Sequence, residues 1–126
     1  LAAYARRLHV ELIPQQQTFG HLHTALRWER YSPLGERPHG HALAPDDPRA
    51  LDFVRATFAE LDSAFAPRVL HVGGDETFEL GRGRTGERVR REGLGPVYVD
   101  YVTRVVGALR PLGRKLMLWG DVGTNH

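Results

Sequence analysis

Seven residues, His71-Val72-Gly73-Gly74-Asp75-Glu76-Thr77, bring an imidazole, two glycines and two adjacent carboxylates to the end of the apolar run Val69-Leu70-His71-Val72. β-Branched and large apolar side chains suit a pleated surface and Gly-Gly interrupts it. The run therefore reads as a buried strand over 69–73 that ends in a turn, with the acids at its carboxyl end. In a regular strand Asp75 and Glu76 would point to opposite faces. Both reach one pocket only if the backbone leaves the pleat, which glycines at 73 and 74 permit because they tolerate positive φ. Two carboxyl groups in different surroundings can divide the work of acid catalysis: one delivers a proton while the other stays ionised beside developing positive charge. Taken alone, the same pair also fits a solvated turn or a helix N-cap.

The flanking elements decide between these readings. Leu1 to Leu8 has helical composition, with Arg6 and Arg7 late, where cations complement the helix end. Val10-Glu11-Leu12-Ile13-Pro14 reads as a strand that Pro14 terminates, and the polar loop Gln15 to His21 follows. His21 to Tyr31 is expected as a short helix with Leu22, Leu26 and Trp28 on its apolar side. Residues 32 to 47, with Pro33, Gly35, Pro38, Gly40 and Pro45, read as a long surface loop. Asp47 as N-cap and Pro48 at the first helical position open the clearest helix, whose stripe is Leu51, Val54, Phe58, Leu61 and Phe65, and Pro67 closes it. A Gly- and Arg-rich stretch from Gly81 to Gly95 leads to a helix introduced by Gly95-Pro96 and faced by Val97, Tyr101, Val102, Val105 and Leu109. Gly113 stops that helix, and Lys115 to Trp119 forms a third apolar strand before Gly120-Asp121.

The order α, β, α, α, β, α, β implies parallel crossovers and an α/β fold. Ligands in such folds bind beyond the carboxyl ends of the strands. Those ends carry His21, Asp75 with Glu76, and Trp119 with Asp121, so three strand ends present polar or aromatic groups to one rim.

Composition narrows the function classes. At 126 residues the chain has the size of a single domain. Its apolar fraction of 41% contains no run long enough to cross a bilayer, which argues against a membrane role. A net charge of +2 does not by itself call for nucleic acid. There is no cysteine, hence no disulfide, thiolate metal site or cysteine nucleophile. His21, His23, His39 and His41 lack the i, i+4 helical spacing of zinc hydrolases, so no metal is expected. Gly81-Arg82-Gly83-Arg84-Thr85-Gly86 matches the letter of a dinucleotide fingerprint but does not join a strand tightly to a helix. Arg82, Arg84, Arg88, Arg90 and Arg91 form a basic stretch that could meet phosphates. It lacks interleaved aromatics, and nucleic-acid contact ranks behind a solvated loop.

His71-Val72-Gly73-Gly74-Asp75-Glu76 resembles the His-x-Gly-Gly-Asp-Glu signature of family-20 glycoside hydrolases, the β-N-acetylhexosaminidases. Phe19-Gly20-His21 is similar to the Gly-His at the end of that family's third barrel strand, and Trp119-Gly120-Asp121 to the Trp-Asp-Glu-type ending of its fifth. Gln17-Thr18 departs from the family's Asp-x-Pro-Gly-His form, and Gly120 stands where many relatives have an acid. The resemblance implies part of a (β/α)8 TIM barrel, residues 1–126 supplying about three parallel strands, roughly the third to fifth of eight. A chain opening at Leu1 without methionine fits a piece of something longer. Such a slice would have unpaired strand edges and no activity of its own.

The implied activity is retaining, substrate-assisted, exo-acting hydrolysis of terminal β-linked N-acetylglucosamine or N-acetylgalactosamine from a glycan or glycoconjugate, without a cofactor. Glu76 matches the general acid and Asp75 the residue that orients the 2-acetamido group, whose carbonyl oxygen is the nucleophile. Trp119 matches an aromatic wall of the acetamido pocket, and His21, His71 and Asp121 are placed as substrate-binding groups. An Arg from the first strand and Tyr, Asp and Trp from later strands would complete that pocket. A sugar-binding relative without catalysis is the other reading.

Overall fold

The computed structural model describes residues 1–120. At its centre β1 (Val69–His71) pairs in parallel with β2 (Lys115–Met117), Val69 facing Lys115 and His71 facing Met117. Pairing continues past both strands: the Val72 amide donates to the Met117 carbonyl (2.8 Å), and the Trp119 amide to the Gly73 carbonyl (3.0 Å). On the other edge of β1, the His71 amide donates to the Pro14 carbonyl (3.0 Å), the Gln16 amide to the His71 carbonyl (3.0 Å) and the Thr18 amide to the Val72 carbonyl (3.2 Å). Gln15 and His71 form a parallel bridge there. Three parallel segments thus run toward one rim, with the 69–73 segment in the middle.

The first segment is displaced from its expected place. Residues 10–14 form no strand, and the pairing lies at 14–18. Pro14 lacks an N–H, yet its carbonyl is free to accept, so the proline opens this ladder instead of ending it.

The helices are α1 (Ala2–Arg7), α2 (His23–Leu26), α3 (Pro48–Phe65), α4 (Gly86–Glu92) and α5 (Leu94–Leu109). α3 and α5 pack together over the sheet, and their buried faces, Val54 and Phe58 from one, Val97, Tyr101, Val105 and Leu109 from the other, close on Leu70 and Val72. Phe19 sits among them, its ring 4.5 Å from that of Tyr101. Tyr101 satisfies its buried hydroxyl by donating to the Thr18 carbonyl (3.0 Å), which ties α5 to the first segment.

Several expectations need correction. The helix foreseen over His21–Tyr31 is only α2, because the chain turns tightly after Leu26: the Tyr31 and Ser32 amides both donate to the Trp28 carbonyl. Trp28 is exposed, with the Arg27 guanidinium over its ring. Residues 32–47 are no surface loop. They hold a 3-10 turn at Ser32–Leu34 and a Gly35–Leu43 bridge, and they bury Leu34, Glu36, Ala42, Leu43 and Ala44. Side-chain carboxylates make that burial possible. Glu36 accepts from the Thr85 amide (2.7 Å) and hydroxyl, and Glu79 accepts from the His41 and Ala42 amides (2.7 and 3.0 Å). The Arg-rich stretch contains α4, and α5 begins at Leu94, placing Pro96 within the first turn, where no N–H is needed.

The two ends of α3 yield stability predictions. Asp47 accepts from the Arg49 amide (3.0 Å), and the Arg49 and Arg84 guanidiniums grip its buried carboxylate (2.7 and 2.9 Å). The Arg49 hydrogen bond, followed by that from Arg84, holds Asp47 well below the usual carboxylate range. Asp47→Ala should cost about 0.5–2 kcal/mol in urea unfolding. Because the folded-state pKa is depressed, this stabilisation is complete above the unfolded value of about 3.9 and fades as pH falls below it. The wild-type advantage over Asp47→Ala should therefore narrow below about pH 4. At the other end, Ala66 adopts φ +43 while its amide caps the Asp62 carbonyl (2.8 Å). A left-handed alanine costs about 1–2 kcal/mol, so Ala66→Gly should raise the unfolding midpoint.

Candidate active site

The site begins where β1 stops. Gly73 (φ +70) and Gly74 (φ +93) swing the chain out of the pleat, and Glu76 follows with φ +45. A β-carbon at 73 would displace the Gln17 amide from its present place, so glycine leaves room for that amide as well as tolerating the positive φ. Gln17 fills that space: its Oε1 accepts from the Gly74 amide (3.2 Å) and its Nε2 donates to Asp75 Oδ1 (2.8 Å). The Tyr98 hydroxyl donates to the Gly74 carbonyl (2.8 Å), fixing the turn from the α5 side.

His21 approaches from the first segment at φ +56. Gly20 permits this approach, since a β-carbon there would lie 2.8 Å from the Asp75 carbonyl oxygen. His21 Nε2 lies 3.4 Å from Asp75 Oδ2 and 3.3 Å from Glu76 Oε2, so the two carboxylates that an unbroken strand would separate converge on one imidazole. They differ in surroundings. The Asp75 side chain is 23% exposed and anchored by Gln17, whereas that of Glu76 is 52% exposed. A hydrogen bond to a carboxylate contributes about 1.5–3 kcal/mol and a solvent-exposed ion pair about 0–1. The Gln17 bond at 2.8 Å is accordingly a firmer hold on Asp75 than the longer, half-exposed His21 contact.

His71 and Trp119 form the other side. His71 is buried at 5% exposure, and its Nδ1 accepts from the Gly73 amide (3.1 Å), which assigns the neutral ring's proton to Nε2. Its ring lies 4.7 Å from that of Trp119, which is 46% exposed. His71 thus sits buried beside an accessible aromatic surface, with Nδ1 engaged by the turn. Asp121 lies outside the described residues.

Two residues here were not foreseen. Gln17 stood out only as a departure from a motif, and Tyr98 lay off the expected apolar stripe of its helix. Their positions on elements bordering the Gly-Gly turn were the one available signal. The basic stretch, by contrast, is largely consumed internally. Arg84 pairs with Asp47, Arg88 with Asp46, Glu92 and Asp100, and Arg91 with Glu92. His23 and His41 stack on each other at 4.8 Å, and among the described residues no three acidic or histidine side chains gather as a metal site.

Comparison with solved structures places this architecture. The chain superposes on β-N-acetylhexosaminidase from Bacteroides fragilis NCTC 9343 with a TM-score of 0.80 at 22% identity, over 98% of this chain and 26% of that one. The family-20 β-N-acetylhexosaminidase of Streptomyces coelicolor A3(2) gives 0.74 at 22% identity, over 99% and 24%. The exo-β-N-acetylglucosaminidase of Vibrio harveyi, solved with N-acetylglucosamine, gives 0.74 at 16% identity, over 98% and 22%. The fold is thus part of the α/β barrel of these enzymes, and the chain spans about a quarter of their length. No curated protein sequence matches it. The model of glycosyl hydrolase family 20, catalytic domain, matches residues 1–126 throughout, and the chain belongs to that family.

Proposed function

We propose that this chain supplies part of the catalytic barrel of a retaining exo-β-N-acetylhexosaminidase. Its 126 residues contribute roughly strands three to five of eight. A whole barrel takes about 250 residues, so the remaining sugar contacts come from the rest of the barrel. The observation that carries the reading is the convergence of Asp75 and Glu76 on His21 with unequal hold.

Glu76, the more accessible acid, protonates the glycosidic oxygen as the C1–O bond breaks. The substrate's acetamido carbonyl oxygen attacks C1 from the opposite side and forms an oxazolinium-type intermediate. Water then opens it with Glu76 as base, which gives net retention without an enzymic nucleophile. Asp75, anchored through Oδ1, accepts the acetamido N–H, and its carboxylate offsets the positive charge developing on the ring. His21 bridges the two carboxylates. Trp119 walls the acetamido methyl, and His71 backs that wall while securing the Gly73 turn. Terminal β-linked N-acetylglucosamine or N-acetylgalactosamine on a glycan or glycoconjugate is the substrate class.

In the full-length protein, Glu76→Gln should lower turnover of a chromogenic β-N-acetylglucosaminide by about 10²–10⁴-fold while substrate binding survives. Near-normal turnover, with sugar still bound, would replace the enzyme by a non-catalytic sugar-binding relative. Asp75→Asn should impair N-acetylated substrates far more than a reactive β-glucoside lacking the acetamido group. Equal losses on both would remove Asp75 from that role.

A further inference from the structure

We infer that Gln17 is a positioning residue for Asp75, and that the polarity of its amide, more than its size, is what the site uses. The inference rests on the reading of Asp75 given above. Oxygen and nitrogen of a glutamine amide are assigned by their partners, and here one partner leaves no choice. The Gly74 amide can only donate, so the Gln17 atom 3.2 Å from it must be the oxygen. The nitrogen then faces Asp75 Oδ1 at 2.8 Å, and a nitrogen donor requires Asp75 to be an acceptor. The amide thereby transmits the direction of a main-chain N–H to a carboxylate. It occupies Oδ1, leaving Oδ2 on the side of His21.

The slot that holds the amide is built from three directions. On either side of Gln17, the Gln16 and Thr18 amides are bonded to the His71 and Val72 carbonyls, so the residue cannot slide along the sheet. The Thr18 hydroxyl adds a bond to the Val72 carbonyl (2.9 Å). Beneath the amide, Gly73 provides room that any side chain would fill. An acid at 17 would fit the same space and could still accept from the Gly74 amide. It would, however, turn an oxygen toward Asp75 Oδ1, setting two carboxylates against each other.

This predicts an order of severity that packing alone reverses. Gln17→Met keeps the length and loses both hydrogen bonds. Gln17→Glu keeps the length and the Gly74 bond but opposes Asp75. With full-length protein near neutral pH, Gln17→Met should lower kcat on the β-N-acetylglucosaminide by about tenfold to a hundredfold, with a smaller change in KM. Gln17→Glu should lower kcat further. In the Asp75→Asn background, Gln17→Met should add little, because its partner is already altered. Thermal unfolding of each variant establishes that folded protein is being compared. If Gln17→Glu is the milder change, or if the Gln17→Met and Asp75→Asn losses multiply independently, Gln17 only supports the turn and the inference fails. The reading of Asp75 fails separately, if Asp75→Asn alone shows no selectivity for the acetamido group.

Discussion

Crowding beneath the turn at Gly73 governs how the site can be arranged. Three chain segments meet there: the end of β1, the Gln16–Thr18 backbone on one side and the Trp119 backbone on the other, each hydrogen-bonded to it. A residue without a β-carbon leaves room for the Gln17 amide, and among the described residues that amide alone serves the Gly74 N–H and the Asp75 carboxylate together. Leaving the pleat at this point is also what allows two neighbouring acids to address one imidazole. The geometry of the pair is therefore a consequence of backbone sterics and of the partners on adjacent segments, with little left to side-chain rotation.

The supports of this turn divide by chemistry. α5 contributes tyrosine hydroxyls, Tyr98 to the Gly74 carbonyl and Tyr101 to the Thr18 carbonyl, so a single helix fixes both segments that bring the site together. Each hydroxyl satisfies a buried main-chain carbonyl that has no other partner among the described residues, where such a loss costs about 1–3 kcal/mol. Below the rim, carboxylates take over. Glu36 and Glu79 bind main-chain amides of distant segments and fold the long 32–47 connection into the body of the protein, while Asp47 caps the helix that follows it. The arginines that suggested a phosphate-binding surface answer acids such as Asp47 and Asp100 instead. Formal charge density along the chain was a poor guide because Arg84 and Arg88 find Asp47 and Asp46 on a distant segment, while Arg88 and Arg91 also meet the nearby Glu92.

How much of this could be read beforehand depended on the range of the forces involved. α3 was legible, N-cap and stripe together, because Asp47, Pro48 and the spacing of Val54 and Phe58 act within a few residues. The strand before Gly-Gly and the parallel order followed from local composition for the same reason. The pairing at 14–18 is hidden from the sequence because proline's missing donor suggests a strand end, whereas its carbonyl accepts the His71 amide and opens the ladder. The burial of 32–47 is not legible locally because Gly and Pro describe local backbone freedom, whereas Glu36 and Glu79 bury that segment through partners 37 to 49 residues away.

For the site itself, the order of residues determined which groups were available: two carboxylates after a glycine pair, a histidine and a tryptophan at neighbouring strand ends, and a signature shared with one hydrolase family. Their relation was decided only in three dimensions. That His21 stands between both acids and that Gln17 orients one of them are facts of register between segments more than 50 residues apart, and the His71 ring meets that of Trp119 across the paired strands. Sequence proximity specifies torsional preferences along the backbone, but hydrogen-bond direction across strands depends on which atoms the tertiary pairing sets face to face.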